Sequence, residues 1–409
     1  MTTAQAPWKI ISILSFTQVV SWGSLYYAFA ILAPDIQREL GWRAEVVFGA
    51  YSWSLLVAGL VATPAGMLLD RYGGRPVMGA GSLAGGAGFI ALATAHTAIH
   101  YFAAWTLLGV AMAMVLYEAA FATINREFLQ NARRGISTVT LFGGLASTVF
   151  WPLTLKLNGM VGWRDTFMIY GVAQLVLCMP LHALLVPRRQ RMVRADNAHA
   201  SKNYTLKEAV RHPVFWNLAF AFSANSFIFS AMSVHLIPLL ERFGHPIVAA
   251  VFLATLIGPM QVAGRIGEMT FARHALPQNV GKVTFSLLPA ALLALMFLGV
   301  RQWAVAMFCI LYGISLGILT IVRGTVPQAL FGRENYGAIS GALAGPALIA
   351  KAAGPLAAAV VLQLSPSPYP LLAVLLLISA ISLAFFLAAV KTSRTENNLV
   401  VTPEEPLPG

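Results

Sequence analysis

Two cations stand where cations are costly. Residues 258–268 read GPMQVAGRIGE, directly after the apolar run AAVFLATLI, and set Arg265 and Glu268 inside oily sequence. Residues 344–356 read AGPALIAKAAGPL and set Lys351 there as well, with no acid in its own segment. A guanidinium is a planar fork that fits two carboxylate oxygens, and an ammonium adds a compact point charge. Together they read as a clamp for an organic anion. Each also has a plainer reading. Arg265 can pair with Glu268, three residues on. Lys351 can snorkel to an interface, whereas a lysine without an acid partner in a bundle points to a ligand anion or to a site that loses its proton. Gln261, Arg265 and Glu268 share one helical face at i, i+4, i+7 spacing, and Gly258–Pro259 above them can bend the helix. Glu118, in VLYEAAFATINREF, is a further acid in apolar sequence. It reads as a proton acceptor or as a structural partner for Arg126 or Arg134, and Glu268 is the second proton-coupling candidate. His235 is a pH-sensitive ligand or a hydrogen-bonded core histidine. Tyr26, Tyr27, Asn225, Tyr117 and Gln18 are candidate cavity linings, against the alternative of packing.

The elements that must position these groups follow from composition. Of 409 residues, 58% are hydrophobic and 10% charged, with mean hydropathy +0.73. A soluble chain carries about 25% charged residues, so most side chains here face lipid or each other. Each crossing of a bilayer takes about 20 apolar residues. Punctuation by polar and Gly/Pro residues divides the chain into twelve spans: 9–33, 46–69, 76–95, 101–124, 136–157, 165–186, 213–240, 246–271, 280–300, 302–326, 336–360 and 369–390. The expected fold is an all-α membrane protein of twelve transmembrane helices. The basic stretch 187–212 splits them into six-helix bundles at 1–186 and 213–391, and 392–409 is a short tail expected to lack structure.

Charge placement orients the chain. With the N-terminus inside, inward segments hold nineteen Lys/Arg, outward segments five, and three (Lys156, Arg265, Lys351) lie in or near spans. The positive-inside rule then places both termini in the cytoplasm. The same asymmetry accounts for the net charge of +12 and pI near 10.0 without nucleic acid. Cys178 and Cys309 lie in apolar runs, so a disulfide framework is not expected. The first apolar stretch, Ile10–Ala33, is too long for a signal core.

Between the second and third spans the chain reads GMLLDRYGGRPVM, with Gly66, Asp70, Arg71, Gly73 and Arg75 in the pattern Gly-x-x-x-Asp-Arg-x-Gly-x-Arg. The glycines permit a tight turn. Asp70 can cap the next helix or meet a helix N-terminus, and the arginines hold the loop inside. The pattern resembles the loop signature of the major facilitator superfamily. That resemblance spans the chain and implies two pseudo-symmetric six-helix bundles rocking about a central site, with this loop as a switch between states. The equivalent loop after span eight, GEMTFARHALPQNV, keeps Gly267 and Arg273 but lacks the acid. Aligning Pro152 with Pro355 sets Thr148 opposite Lys351. YYAFAILAPDIQRELGW (Tyr26–Trp42), QVAGR in span eight and the Lys before GP in span eleven are similar to the branch of monocarboxylate transporters and oxalate–formate exchangers. The resemblance implies that Arg265 and Lys351 hold substrate carboxylates. Gln261 stands where those carriers often have an Asp tied to proton coupling.

The scattered histidines offer no metal cluster, no cofactor is implied, and no phosphate-binding loop points to ATP. No nucleophile–base pair suggests an enzyme. The expectation is a secondary transporter of the inner membrane, working as a monomer among lipids, that moves a mono- or dicarboxylate with H⁺ or by exchange. A drug efflux pump built on Glu118 is the alternative, and a non-transporting sensor the remote one.

Overall fold

A computed structural model describes residues 7–128, 131–185 and 203–401. No strand occurs among them. Eleven helical runs are long and apolar enough to cross a membrane. One of them, Ala132–Ala183, has 52 residues and is bent at Gly162, whose φ of +79° is open to glycine. It provides spans 5 and 6, so the twelve expected crossings are accommodated. The remaining spans are Pro7–Leu40, Ala44–Tyr72, Gly74–Ala93, Ala98–Glu127, Pro213–Arg242, Ile247–Phe271, Pro277–Leu298, Gln302–Phe331, Tyr336–Leu364 and Tyr369–Val401.

Five of the described spans are interrupted at mid-length, span 6 by a π segment at Gln174–Cys178. Span 1 turns from α to π over Trp22–Tyr27. Span 4 breaks at Leu116, whose ψ of −163° is extended. The break frees the Val115 carbonyl, and the buried Gln18 amide donates to it at 2.6 Å. Span 5 pauses at Gly144–Leu145 between Ala132–Gly143 and Ala146 onward. Span 8 breaks at Thr255–Leu256. Pro259 explains that break: it has no N–H for the Thr255 carbonyl four residues back, as the Gly258–Pro259 pair led one to expect.

Two apolar cores form, one from residues 20–178 and one from 209–390. A third cluster, at the end of the bundle bearing Arg71, Arg75, Arg126 and Arg133, mixes helices of the first half with Ile321 and Tyr336 of the second. At this basic end spans 2 and 11 approach backbone to backbone. A Cβ on Gly66 would fall 2.0 Å from the Gly337 carbonyl oxygen, and one on Gly341 would fall 2.2 Å from that of Ala62. Small residues allow this approach in a membrane, where burial of apolar surface supplies no drive between helices.

At the opposite end the hydrogen bonds described join helices of the same half. Arg164 donates to Glu39 at 2.7 Å and to the Ala93 carbonyl at 2.7 Å. Arg242 donates to the Ser365 carbonyl at 2.7 Å.

Two expectations change. Of the linker expected at 187–212, residues 187–202 lie outside the described residues, while Leu206–Arg211 is a helix started by a Thr205–Glu208 capping box. The tail expected to lack structure from Lys391 continues span 12 to Val401, because no Gly or Pro stops it before Pro403. Residues 402–409 lie outside the described residues.

Candidate functional site

The interruptions of spans 1, 4 and 5 bring groups close to Arg265 of span 8. Its side chain is 4% exposed, and its Nε and Nη1 have no hydrogen-bond partner among the described residues. Gly144, at the pause in span 5, lies against it: a Cβ there would meet Nη1 at 1.9 Å. The phenols of Tyr27 and Tyr117 lie within electrostatic reach of the guanidinium. Burying a guanidinium with unmet donors costs several kcal/mol. An ordinary structural arginine avoids that cost.

The plainer reading, a pair with Glu268, does not hold. Glu268 is 3% exposed and turns to the other half of the molecule. Its Oε1 accepts from Arg133 Nε at 2.8 Å and Nη2 at 2.5 Å, and its Oε2 accepts from Ser137 Oγ at 3.0 Å. Arg133 also donates to the carbonyls of Ala272, at 2.8 Å, and Ala275, so it caps the end of span 8.

Lys351 crosses the junction in the other direction. Its Nζ lies 4.0 Å from the ring centroid of Tyr26 and 5.9 Å from that of Trp22, both in the π turn of span 1. The wider turn lets Trp22, Tyr26 and Tyr27 face the centre together. Trp22 in turn packs on Tyr117 at 4.9 Å and Tyr26 on Tyr27 at 5.1 Å. Snorkelling is excluded, since the ammonium sits on aromatic faces. An aromatic wall therefore links Lys351 to Arg265 through Trp22 and Tyr117.

The other candidates divide. Gln261 lies one turn before Arg265, half-buried, where span 8 passes so close to span 10 that a Cβ on Gly317 would lie 2.3 Å from its carbonyl oxygen. His235 Nε2 meets the Pro355 carbonyl at 2.9 Å, one turn beyond Lys351, so it steadies span 11. Asn225 is 2% exposed and donates to Ser382 at 2.8 Å and to the Ala221 carbonyl, which makes it a bond between spans 7 and 12 rather than a central group. Glu118 is half-exposed in the first turn after the span 4 break. No hydrogen bond or ion pair to it is found among the described residues, which leaves aside pairing with Arg126 or Arg134. Arg126 instead donates to the carbonyls of Leu69, at 2.8 Å, and Asp70.

In the loop after span 2, Asp70 meets a helix N-terminus, but of span 11 rather than of the next helix. Its carboxylate accepts from the N–H groups of Gly337 at 2.8 Å and Ala338 at 2.7 Å. Gly73, at φ +86°, ends span 2 by returning its N–H to Leu69 at 2.8 Å. Arg71 is exposed over the Tyr72 ring, and Arg75 is half-exposed.

Sequence reasoning missed Arg323. It reads as a residue at the inner end of span 10, yet that helix runs on to Phe331 and carries Arg323 as its lone charge. The expected span ends at 326, and its arginine counts with the inward segments. The signal was present, because the residues up to Phe331 stay uncharged. Arg323 donates to the Phe222 carbonyl at 3.0 Å and to Ser226 Oγ, and its Nε is buried without a partner.

Residues 14–355 match the Major Facilitator Superfamily. The chain belongs to that superfamily of membrane transporters. It is 25% identical over 332 residues to monocarboxylate transporter 4 of Mus musculus, covering 77% of this chain and 69% of that protein. It is 28% identical over 203 residues to the uncharacterized MFS-type transporter YhjX of Escherichia coli (strain K12), covering 48% of this chain and 49% of that one. Among solved structures it resembles the human organic anion transporter MFSD10 (TETRAN), with TM-score 0.72, 15% identity, and 93% and 99% of the two chains covered. It also resembles the E. coli fucose:proton symporter FucP, with TM-score 0.69, 13% identity, and 93% and 98% covered. The fold is the major facilitator fold, and the protein is a transporter rather than an enzyme.

Proposed function

We propose that this transporter moves a small organic anion, a mono- or dicarboxylate, across the inner membrane by alternating access. The observation that carries the reading is Arg265, a buried guanidinium with two unbonded nitrogens beside a glutamate that already has its partners. A carboxylate docking there satisfies the fork. Lys351 supplies a second positive charge from the other side of the aromatic wall, and Gln261, Tyr26 and Tyr27 complete the lining. The relatives named as monocarboxylate transporters, and the structural neighbour named as an organic anion transporter, support the same substrate class.

In this reading the basic end is cytoplasmic. Packing and hydrogen bonds between the halves concentrate there, which supports an outward-facing state. The two six-helix halves at 1–186 and 213–391 rock about Arg265 and Lys351, and the Gly66–Arg75 loop latches the closed inner side through Asp70. The protein acts as a monomer in lipid, with H⁺ or the substrate gradient as the driving force.

A thermal-shift series on purified protein tests this. A ligand that binds only the folded state raises Tm, and a 100-fold excess over Kd adds about 2.7 kcal/mol. Lactate, succinate or oxalate is expected to stabilise the wild type and to lose that effect in Arg265→Gln and Lys351→Gln. Stabilisation by lipophilic cations alone, equal in all three proteins, would replace anion transport with drug efflux.

A further inference from the structure

One layer nearer the basic end, polar groups of the two halves face each other without a stated task. Glu118 stands on the face of span 4 that also carries Asn125, seven residues on. Asn125 is 2% exposed, and neither its Nδ2 nor its Oδ1 has a hydrogen-bond partner among the described residues. Opposite stand Arg323 of span 10 and Tyr336 of span 11. The two surfaces are close: a Cβ on Gly324 would lie 3.0 Å from the Phe121 ring, three residues beyond Glu118. Tyr336 donates to the Gly324 carbonyl at 2.9 Å, beside Arg323. Arg323 and Tyr336 both lie within electrostatic reach of Glu118.

We propose that Glu118 is the carboxyl that carries the coupled proton, and that Arg323 is the positioning residue that receives its carboxylate after the proton has left. The proposal deepens the anion-carrier reading and rests on it for the direction of flux. Glu268, the other candidate, has both carboxylate oxygens engaged by Arg133 and Ser137, which leaves no lone oxygen facing water. Glu118 is half-exposed and unbonded. The groups within electrostatic reach of it are Arg323, Tyr336 and its neighbour Tyr117, and Tyr117 is also within reach of Arg265 of span 8.

The step balances simply. Outside water delivers a proton, an O–H bond forms on Glu118, and the neutral acid accompanies the substrate anion. When the basic end opens, that O–H bond breaks to water on the inner side. When the basic end closes again and brings the halves together, the carboxylate meets the Arg323 guanidinium, whose Nε–H is without a partner. One proton thus travels with one anionic charge, and no other reactant is consumed. An adjacent cation favours the ionised carboxylate, so Arg323 sets how tightly Glu118 holds its next proton.

Two measurements on the full chain test the pair. In proteoliposomes, labelled lactate enters wild type faster when the outside is acid. Glu118→Gln should lose that acceleration yet keep lactate–lactate exchange, and Glu118→Asp should restore part of it. By infrared difference spectroscopy without substrate, the carbonyl band of a protonated carboxylic acid should titrate in wild type and in Lys351→Gln. It should be missing in Glu118→Gln and persist to higher pH in Arg323→Gln. Retained acid acceleration in a folded Glu118→Gln protein, or an unchanged infrared band, overturns the proposal. If wild type exchanges no lactate, the carrier reading for that anion fails, and the infrared comparison alone decides Glu118.

Discussion

Span 2 meets span 11 through backbone and a single carboxylate, whereas span 5 meets span 8 through an arginine and a glutamate. Both seams close the basic end. The first is a matter of shape. Gly66 and Gly341 each let a carbonyl of the facing helix occupy the place of a side chain, and Asp70 adds one anion at the positive end of span 11. The second is a matter of charge. Arg133, 21% exposed in its side chain, holds Glu268, 2% exposed, while capping the carbonyls at the end of span 8. A seam made of shape fails abruptly when a methyl group is added. A seam made of charge weakens in steps, because water that enters on opening rehydrates both ions.

The largest effect should come from the shape seam. Gly66→Leu places side-chain atoms where the Gly337 carbonyl lies and should hold the inner side open. A spin-label pair across the basic end should report the wider distance in nearly all molecules, with transport lost. An unchanged distance would show that the helices slide past the obstacle and that the seams differ less than their geometry implies. Glu268→Gln should come next. Removing one partner of a buried pair costs about 3–5 kcal/mol, and the same label pair should show a shift toward the open form. Ser137→Ala should give a smaller change in the same direction, about 1 kcal/mol for one hydrogen bond. Asp70→Asn should fall between them, at up to about 2 kcal/mol for an ion at a helix terminus. If Asp70→Asn opens the end more than Glu268→Gln does, the carboxylate rather than the glycines governs the first seam.

Most of the fold was legible because the bilayer imposes it. Apolar length, positive-inside charge and the Gly66–Arg75 loop each give a signal along the chain. The position of Arg265 was legible for the same reason, since a charge in oily sequence stands out. Its partners were not. Glu268 is three residues away and looked like its mate, yet the carboxylate is held by Arg133, which lies 135 residues earlier in sequence. Helical spacing ranks neighbours on one helix and says nothing about a second helix. Asn225 failed for the same reason: its partner Ser382 is 157 residues distant. The Lys351 cage escaped because its rings, Trp22 and Tyr26, lie on span 1 while the lysine lies on span 11, and spacing within one helix does not pair two helices.

That π turn over Trp22–Tyr27 has a consequence of another kind. A π segment is an α-helix carrying one surplus residue. Removing a single residue from the segment would let span 1 relax to continuous α-helix while the turns on either side kept their faces, because the wide turn absorbs the surplus residue within itself. The outer half of span 1 is tied by Asp35 to Asn158 and by Glu39 to Trp163 and Arg164, so it cannot rotate freely. The change would fall inside the segment, where Trp22, Tyr26 and Tyr27 could no longer all share the central face. An ordinary helix already aligns Trp22 with Tyr26 under the lysine, so what the surplus residue adds is a third ring, Tyr27, packed on Tyr26 at 5.1 Å.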